Sequence, residues 1–402
     1  MITTKHLLAS LSCGALLIAG SANAANLTWA GGAGTWQDGT QDQFDAAWSN
    51  ANPDSADFTG SVGTVTVSGS IDLLNLDFSS ASGGYVIDGG TLNFASGGVI
   101  SNSNNTHNHT ITSVITGAPT VSLYDGPAGN GYEGIIFAPT SGSQTLGLVQ
   151  NPNNTGNRDK SGIYLNGSTT GNTATEILYV GGDRYGTVYK QGTSTWSVGN
   201  ITTGTLRVSG GTLNINGNVH ATYNNVIMTG GRISGNVNFF KSDRRSSYQF
   251  TSGALAPGNS IGTIEIDWGT GGGPNASQWT TTIGSGVTYE WEVGAGNTTD
   301  IINIQDGRLV IQDFTLQIID LGGTPAAGDQ LAVFTYGTLD SKTLDLANVT
   351  IDTSLAPNWD ASGASLVDDG SGTIYLTGLV PEPSSLALLG LGGLLIARRR
   401  RG

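Results

Sequence analysis

Gly258-Asn259-Ser260-Ile261-Gly262 has the Gly-x-Ser-x-Gly spacing of a serine-hydrolase elbow. That chemistry needs a strand before the serine, a helix after it and a downstream histidine. Here a strand pattern follows, and no histidine occurs after His220, so the segment reads as a turn between strands. Gly129-Asn130-Gly131-Tyr132-Glu133-Gly134 fits the dinucleotide fingerprint, whose glycines work only at the mouth of a helix. The next residues, Ile135-Ile136-Phe137, read as a strand instead. His107 and His109 would share a face on a strand, as metal ligands do. The polar run Ser101–Thr106 before them predicts a solvated loop, with a weak zinc or copper site as the alternative.

Two carboxylate pairs share strand faces: Glu290 with Glu292, and Glu265 with Asp267. Such pairs serve glycosidases or, with calcium, polysaccharide lyases. More often they are the wet face of a strand. Asp368-Asp369-Gly370 and Asn52–Asp54 offer oxygens but lack the alternating spacing and closing glutamate of a calcium loop. Gly31-Gly32-Ala33-Gly34 lacks the aspartate of the calcium-binding nonapeptide repeat. Trp29, Trp36 and Trp48 would stack on sugars if exposed; the favoured reading is a cap over a solenoid end. Lys241-Ser242-Asp243-Arg244-Arg245 is the only basic cluster of the body and reads as a solvated turn. No residue is therefore assigned to catalysis, to a metal or to a cofactor.

The elements that must carry these residues are strands. Glycine makes up 62 of 402 residues, about twice the usual share, and charged residues are only 11%. Long surface helices need more charge than that, and there is no three-residue glycine period of the collagen kind. A Gly-Thr-apolar-x-apolar pattern recurs at Gly63–Val67, Gly90–Phe94, Gly204–Val208, Gly211–Ile215, Gly262–Ile266 and Gly372–Leu376. Each copy alternates with period two after a glycine corner, as a half-buried strand does. The Gly-Gly pairs at 210–211 and 230–231 stand one plausible solenoid coil apart. No strand of this kind buries its apolar face alone, so stacked neighbours must complete the core.

Both ends read as addressing signals. Lys5, the apolar stretch Leu7–Gly20 and the small-x-small site Ala22-Asn23-Ala24 predict a signal peptide over 1–24, with a mature start at Ala25. Cys13, the only cysteine, leaves with it; a lipoprotein reading fails because Ser10-Leu11-Ser12 lacks a leucine three positions upstream. The mature chain then forms no disulfide and no thiolate metal site. At the other end Pro381-Glu382-Pro383 precedes an apolar run, Leu386–Ala397, and four arginines, Arg398, Arg399, Arg400 and Arg401. The run is short for a full span of about 20 residues, and the arginines resist translocation. This order resembles the PEP-CTERM sorting signal. The resemblance implies an exosortase, a membrane transpeptidase-like protease, cutting near the Pro-Glu-Pro; an ordinary tail anchor is the plainer alternative. Without the two ends the body keeps 11 basic and 29 acidic residues, a net charge of −18. Such a surface repels nucleic acid and anionic lipid.

Three body segments resemble proteins built from autotransporter-associated β-strand repeats. They are Leu27–Trp36 with Ala47–Asn50 and Pro53–Phe58, then Gly253–Thr263, then Tyr289–Val293 with Asp300–Ile304. The resemblance implies an all-β fold: a right-handed parallel β-helix with a β-rich C-terminal cap. No outer-membrane barrel of tilted amphipathic strands follows, so self-export is not expected. The expected organisation is a signal peptide at 1–24, a passenger-like solenoid at 25–265, its β-rich C-terminal part or cap at 266–380, and the sorting signal with a short membrane helix at 381–402. The expected function is that of an exported, non-catalytic surface or matrix protein, structural or adhesive. The Sec translocon, signal peptidase and an exosortase-like protease would process it, and exopolysaccharide would surround it. The alternative is a β-helix that binds or cleaves polysaccharide.

Overall fold

The structure, a computed structural model, describes residues 24–103, 107–124, 134–150, 162–179, 186–221, 225–240, 247–267 and 279–382. Among them the regular elements are strands and two single-turn 3₁₀ segments, Ala295–Asn297 and Leu346–Asn348. The all-β expectation holds. Thirty strands join in one sheet, and Trp359–Asp360 with Val380–Pro381 form a separate antiparallel pair.

Apart from the antiparallel strands Ser365–Asp368 and Thr373–Thr377, the large sheet consists of three parallel ladders that the chain visits in turn. Thr205–Val208 lies in the first, Thr212–Ile215 in the second and Gly217–Ala221 in the third. The next passage repeats this order: Leu206 pairs with Val226, Leu213 with Ile233 and Val219 with Phe239, all in parallel. The parallel pairing runs from Asn26–Trp29 with Asp54–Gly60 to Thr315–Leu321 with Thr350–Leu355. The architecture is thus solenoid-like. Rung length varies, because Asn214 contacts Ser197 17 residues back whereas Asp300 contacts Gly262 38 residues back.

Alternation places every second side chain inside. Leu206, Val226, Tyr248, Thr281 and Leu309 stack in register, as do Val208, Met228, Phe250, Ile283 and Ile311, and all are buried. Fully burying one such apolar side chain contributes about 1.5–3 kcal/mol, so the columns dominate the stability. All six Gly-Thr copies begin strands. Five of them are spread over the three ladders, so the pattern marks a strand start and not a fixed place in the rung. The sixth, Thr373–Thr377, is not a rung: it pairs antiparallel with Gln330–Leu344 and Ser365–Asp368.

The glycine pairs do stack. A Cβ on Gly210 would lie 2.6 Å from the Gly192 carbonyl oxygen, and one on Gly231 2.8 Å from Gly210 C and Gly211 O. Gly231 also has φ +71°, a conformation costly for other residues. The corner between the first two ladders is therefore a column in which rungs touch backbone to backbone. Beside it the fully buried Lys190 donates from Nζ to the Gln191 and Gly210 carbonyls at 2.6 and 3.0 Å. Burial pushes its ammonium down to about 8.

The N-terminal end is closed by Trp29, Trp36, Phe44, Trp48 and Phe58, all buried and in ring contact. The cap reading of the tryptophans holds. The solvated-loop expectation for the histidines fails at His109. It sits in the strand Asn108–Ile111, fully buried, and stacks on Phe78 at 4.3 Å. Its Nδ1 accepts the Tyr85 N–H, and burial, with some help from His107, pushes its pKa down to about 4. A neutral imidazole is aromatic enough to fill a core position, which the polar flanks conceal. The loop expectation for Ser101–Thr106 also fails at Ser101–Ser103, which end the strand Thr91–Ser103; Asn104–Thr106 lie outside the described residues, as do Lys241–Arg245.

Candidate functional site

The turn after Pro257 and the strand Thr280–Gly294 enclose a small polar crevice of ≈170 Å³. It is lined by Arg232, Pro257, Asn259, Glu290, Glu292 and Asp300, among others. Ladder register brings these distant residues together. Arg232 pairs with Ala254, which pairs in turn with Thr288, so the arginine crosses a rung of small side chains to reach Glu290. Its Nε lies 2.8 Å from Glu290 Oε2. Glu290 and Glu292 share one face, as the alternation predicts.

Asp300 is fully buried. Its Oδ1 accepts the Gly262 N–H at 2.7 Å, and its Oδ2 accepts the Glu292 N–H at 3.1 Å. Its own carbonyl accepts from Trp291 Nε1 at 2.9 Å. One side chain thereby ties the Gly258–Gly262 turn to the next rung. Burial pushes its pKa up to about 8; the two backbone N–H groups oppose this, and the Glu292 carboxylate adds to it. Glu292 is raised as well, by burial first, and its Oε2 is buried without a hydrogen-bond partner.

The sign of the resulting pH dependence follows from linkage. The folded protein holds a proton on Asp300 between about pH 4 and 8 that the unfolded chain releases. This group's contribution is complete below about pH 4 and is lost as pH rises through about 8. The melting-temperature advantage of wild type over Asp300→Asn is therefore expected to shrink by several degrees between pH 5 and pH 8 in calorimetric scans.

Two of the three carboxyl groups that line the crevice are already engaged. Paired-carboxylate hydrolysis needs two available carboxyl groups. Here Glu290 is held by Arg232 and Asp300 by two peptide N–H groups. Among the described residues no group of three or more His, Cys, Asp or Glu is arranged to hold a metal ion. Ser260 is exposed in a turn between strands, as expected. Glu265 accepts from Gln305 Nε2 at 2.5 Å. Asp369 spends its carboxylate on the Thr373, Ser371 and Gly372 N–H groups and is held down at about 2.

The more informative site is where the chain leaves the body. Leu379 is buried, and Val380–Pro381 pairs antiparallel with Trp359–Asp360. The Glu382 N–H donates to the Asn358 carbonyl at 2.6 Å, while the residue itself is exposed. Residues 379–401 match the PEP-CTERM protein-sorting motif. The PEP-CTERM motif thus starts on a strand docked to the folded body and presents Glu382 to solvent. It implies processing by an exosortase and export to the cell envelope or surface. Comparison with curated proteins and with solved structures finds no match.

Of the predicted sorting and processing residues, Ala24, Pro381 and Glu382 are described; Ala22, Pro383 and Arg398–Arg401 lie outside, as does the apolar run Leu386–Ala397. Among the described residues no helix is long and apolar enough to cross a membrane. Sequence reasoning missed Arg232 and Asp300. The only local signals were an arginine just after a Gly-Gly corner and an aspartate opening an apolar strand.

Proposed function

We propose that this chain is an exported, non-catalytic structural or adhesive protein of the cell surface or extracellular matrix, held within exopolysaccharide or biofilm. The observation that carries this reading is the PEP-CTERM match at 379–401. On this reading the Sec translocon moves the chain and signal peptidase cuts after Ala24. Arg398–Arg401 then stall the tail as a transient inner-membrane helix, and an exosortase-like protease cuts near Pro381-Glu382-Pro383. The body is taken to be a right-handed parallel β-helix of the autotransporter-passenger kind, consistent with its three parallel ladders. The non-catalytic assignment is favoured by the engagement of Glu290 and Asp300 in structural contacts.

Fractionation of cells expressing wild type and a chain lacking Arg398–Arg401 tests the sorting claim. Wild type is expected in the outer-envelope or matrix fraction with a shortened C terminus. The truncated chain is expected to keep its tail and to leave that fraction. Unchanged location and processing would overturn the proposal.

A further inference from the structure

The backbone nitrogen of Ala25 lies 2.7 Å from Asp54 Oδ1. Asp54 opens the strand Asp54–Gly60 and is only 5% exposed. The next peptide group closes the contact from the other side, since the Ser55 N–H donates to the Ala25 carbonyl at 2.8 Å. Asn26 then pairs with Ser55 to begin the first parallel rung of the third ladder. Ala24 and Ala25 are both exposed, so the bond between them lies at the surface. The geometry is that of a side chain mostly withdrawn from water and aimed at one backbone nitrogen. A charged donor at that nitrogen would bind it more strongly than an amide N–H does.

We infer that Asp54 is a receptor for the mature N terminus, and that removal of the leader creates the ion pair that locks the first rung. This rests on the reading that signal peptidase cuts after Ala24. Hydrolysis of that peptide bond consumes one water, leaves Ala24 as a carboxylate and leaves Ala25 as an amine, which takes up a proton. An α-amino group with an ordinary value of about 7.7–8.0 is charged at neutral pH. The positive charge therefore appears on the atom that already touches Asp54, and an ordinary hydrogen bond becomes a charge-assisted one. Before cleavage the same nitrogen is an uncharged amide. The first rung closes fully only on chains that have crossed the membrane and lost the leader.

Mass spectrometry of the protein recovered from the envelope fixes its first residue. The chain starting at Ala25 is then compared with its Nα-acetylated form, which keeps the N–H but loses the charge. Both are made again with Asp54→Asn, which keeps the shape and removes the partner. Acetylation is expected to lower the melting temperature by several degrees with Asp54 present and to change it little with asparagine. The Ala25 amine, followed by the pH dependence of its reductive methylation, is expected to titrate at least one unit above its ordinary range with Asp54 and within that range without it. A mature chain that starts elsewhere overturns the cleavage reading and the lock together. A chain that starts at Ala25 but responds equally to acetylation in both backgrounds overturns the lock alone.

Discussion

Trp36→Ala is expected to lower the stability of the body by about 3–5 kcal/mol, the usual cost of deleting a large buried aromatic. Trp36 is 1% exposed and meets Trp48, Phe44 and Phe58 at centroid distances of 4.8, 5.4 and 5.9 Å. Its Nε1 is buried without a hydrogen-bond partner, so the loss is one of packing and not of a polar contact. Trp36→Phe should accordingly recover most of the stability. The position matters because a stack of rungs has two ends where apolar columns would meet water, and capping residues close them. Urea unfolding gives the size of the effect. Hydrogen exchange gives its place: protection is expected to fall first in the strands Asn26–Trp29 and Asp54–Gly60. Loss spread evenly over all rungs would contradict the capping role.

Gly231→Val is expected to cost about 2–5 kcal/mol. A left-handed backbone burdens a residue with a side chain by about 1–2 kcal/mol, and forcing extra atoms into a packed site adds about 1–3. At Gly231 both apply, with φ +71° and the backbone of the rung below 2.8 Å from the new Cβ. The rung above offers no relief, because a Cβ on Gly253 would already lie 2.5 Å from the Gly231 oxygen. Thr229→Val, at an exposed position two residues earlier, is the control and should be nearly neutral. Limited proteolysis should show new cleavage near residues 205–257 in the Gly231 variant alone.

What the sequence disclosed was what is local. The Gly-Thr strands, the glycine corners and the tryptophan cap each rest on a few adjacent residues, and all hold. The sorting tail was legible for the same reason. What depends on ladder register was not. Arg232 and Glu290 stand 58 residues apart and meet only because a rung of alanines lies between them. Asp300 and Gly262 are joined across a rung whose length differs from its neighbours, so no fixed repeat reveals the pair. The Thr373 copy shows the converse limit: the same local pattern builds an antiparallel strand when its partner runs the other way.

The stacked ladders also have a mechanical consequence. Inter-rung hydrogen bonds point along the stack, so a pull between the two ends loads them by peeling, one rung after another, and not by shear. A rung of 20 residues, such as the step from Leu206 to Val226, yields about 70 Å of slack when it lets go. The pair Val380–Pro381 with Trp359–Asp360 is only two residues long and sits at the membrane-proximal end on the proposed route. Under load it should part first, as a fuse that spares the stack. A chain tethered by its tail would then behave as an extensible link whose strength is set rung by rung.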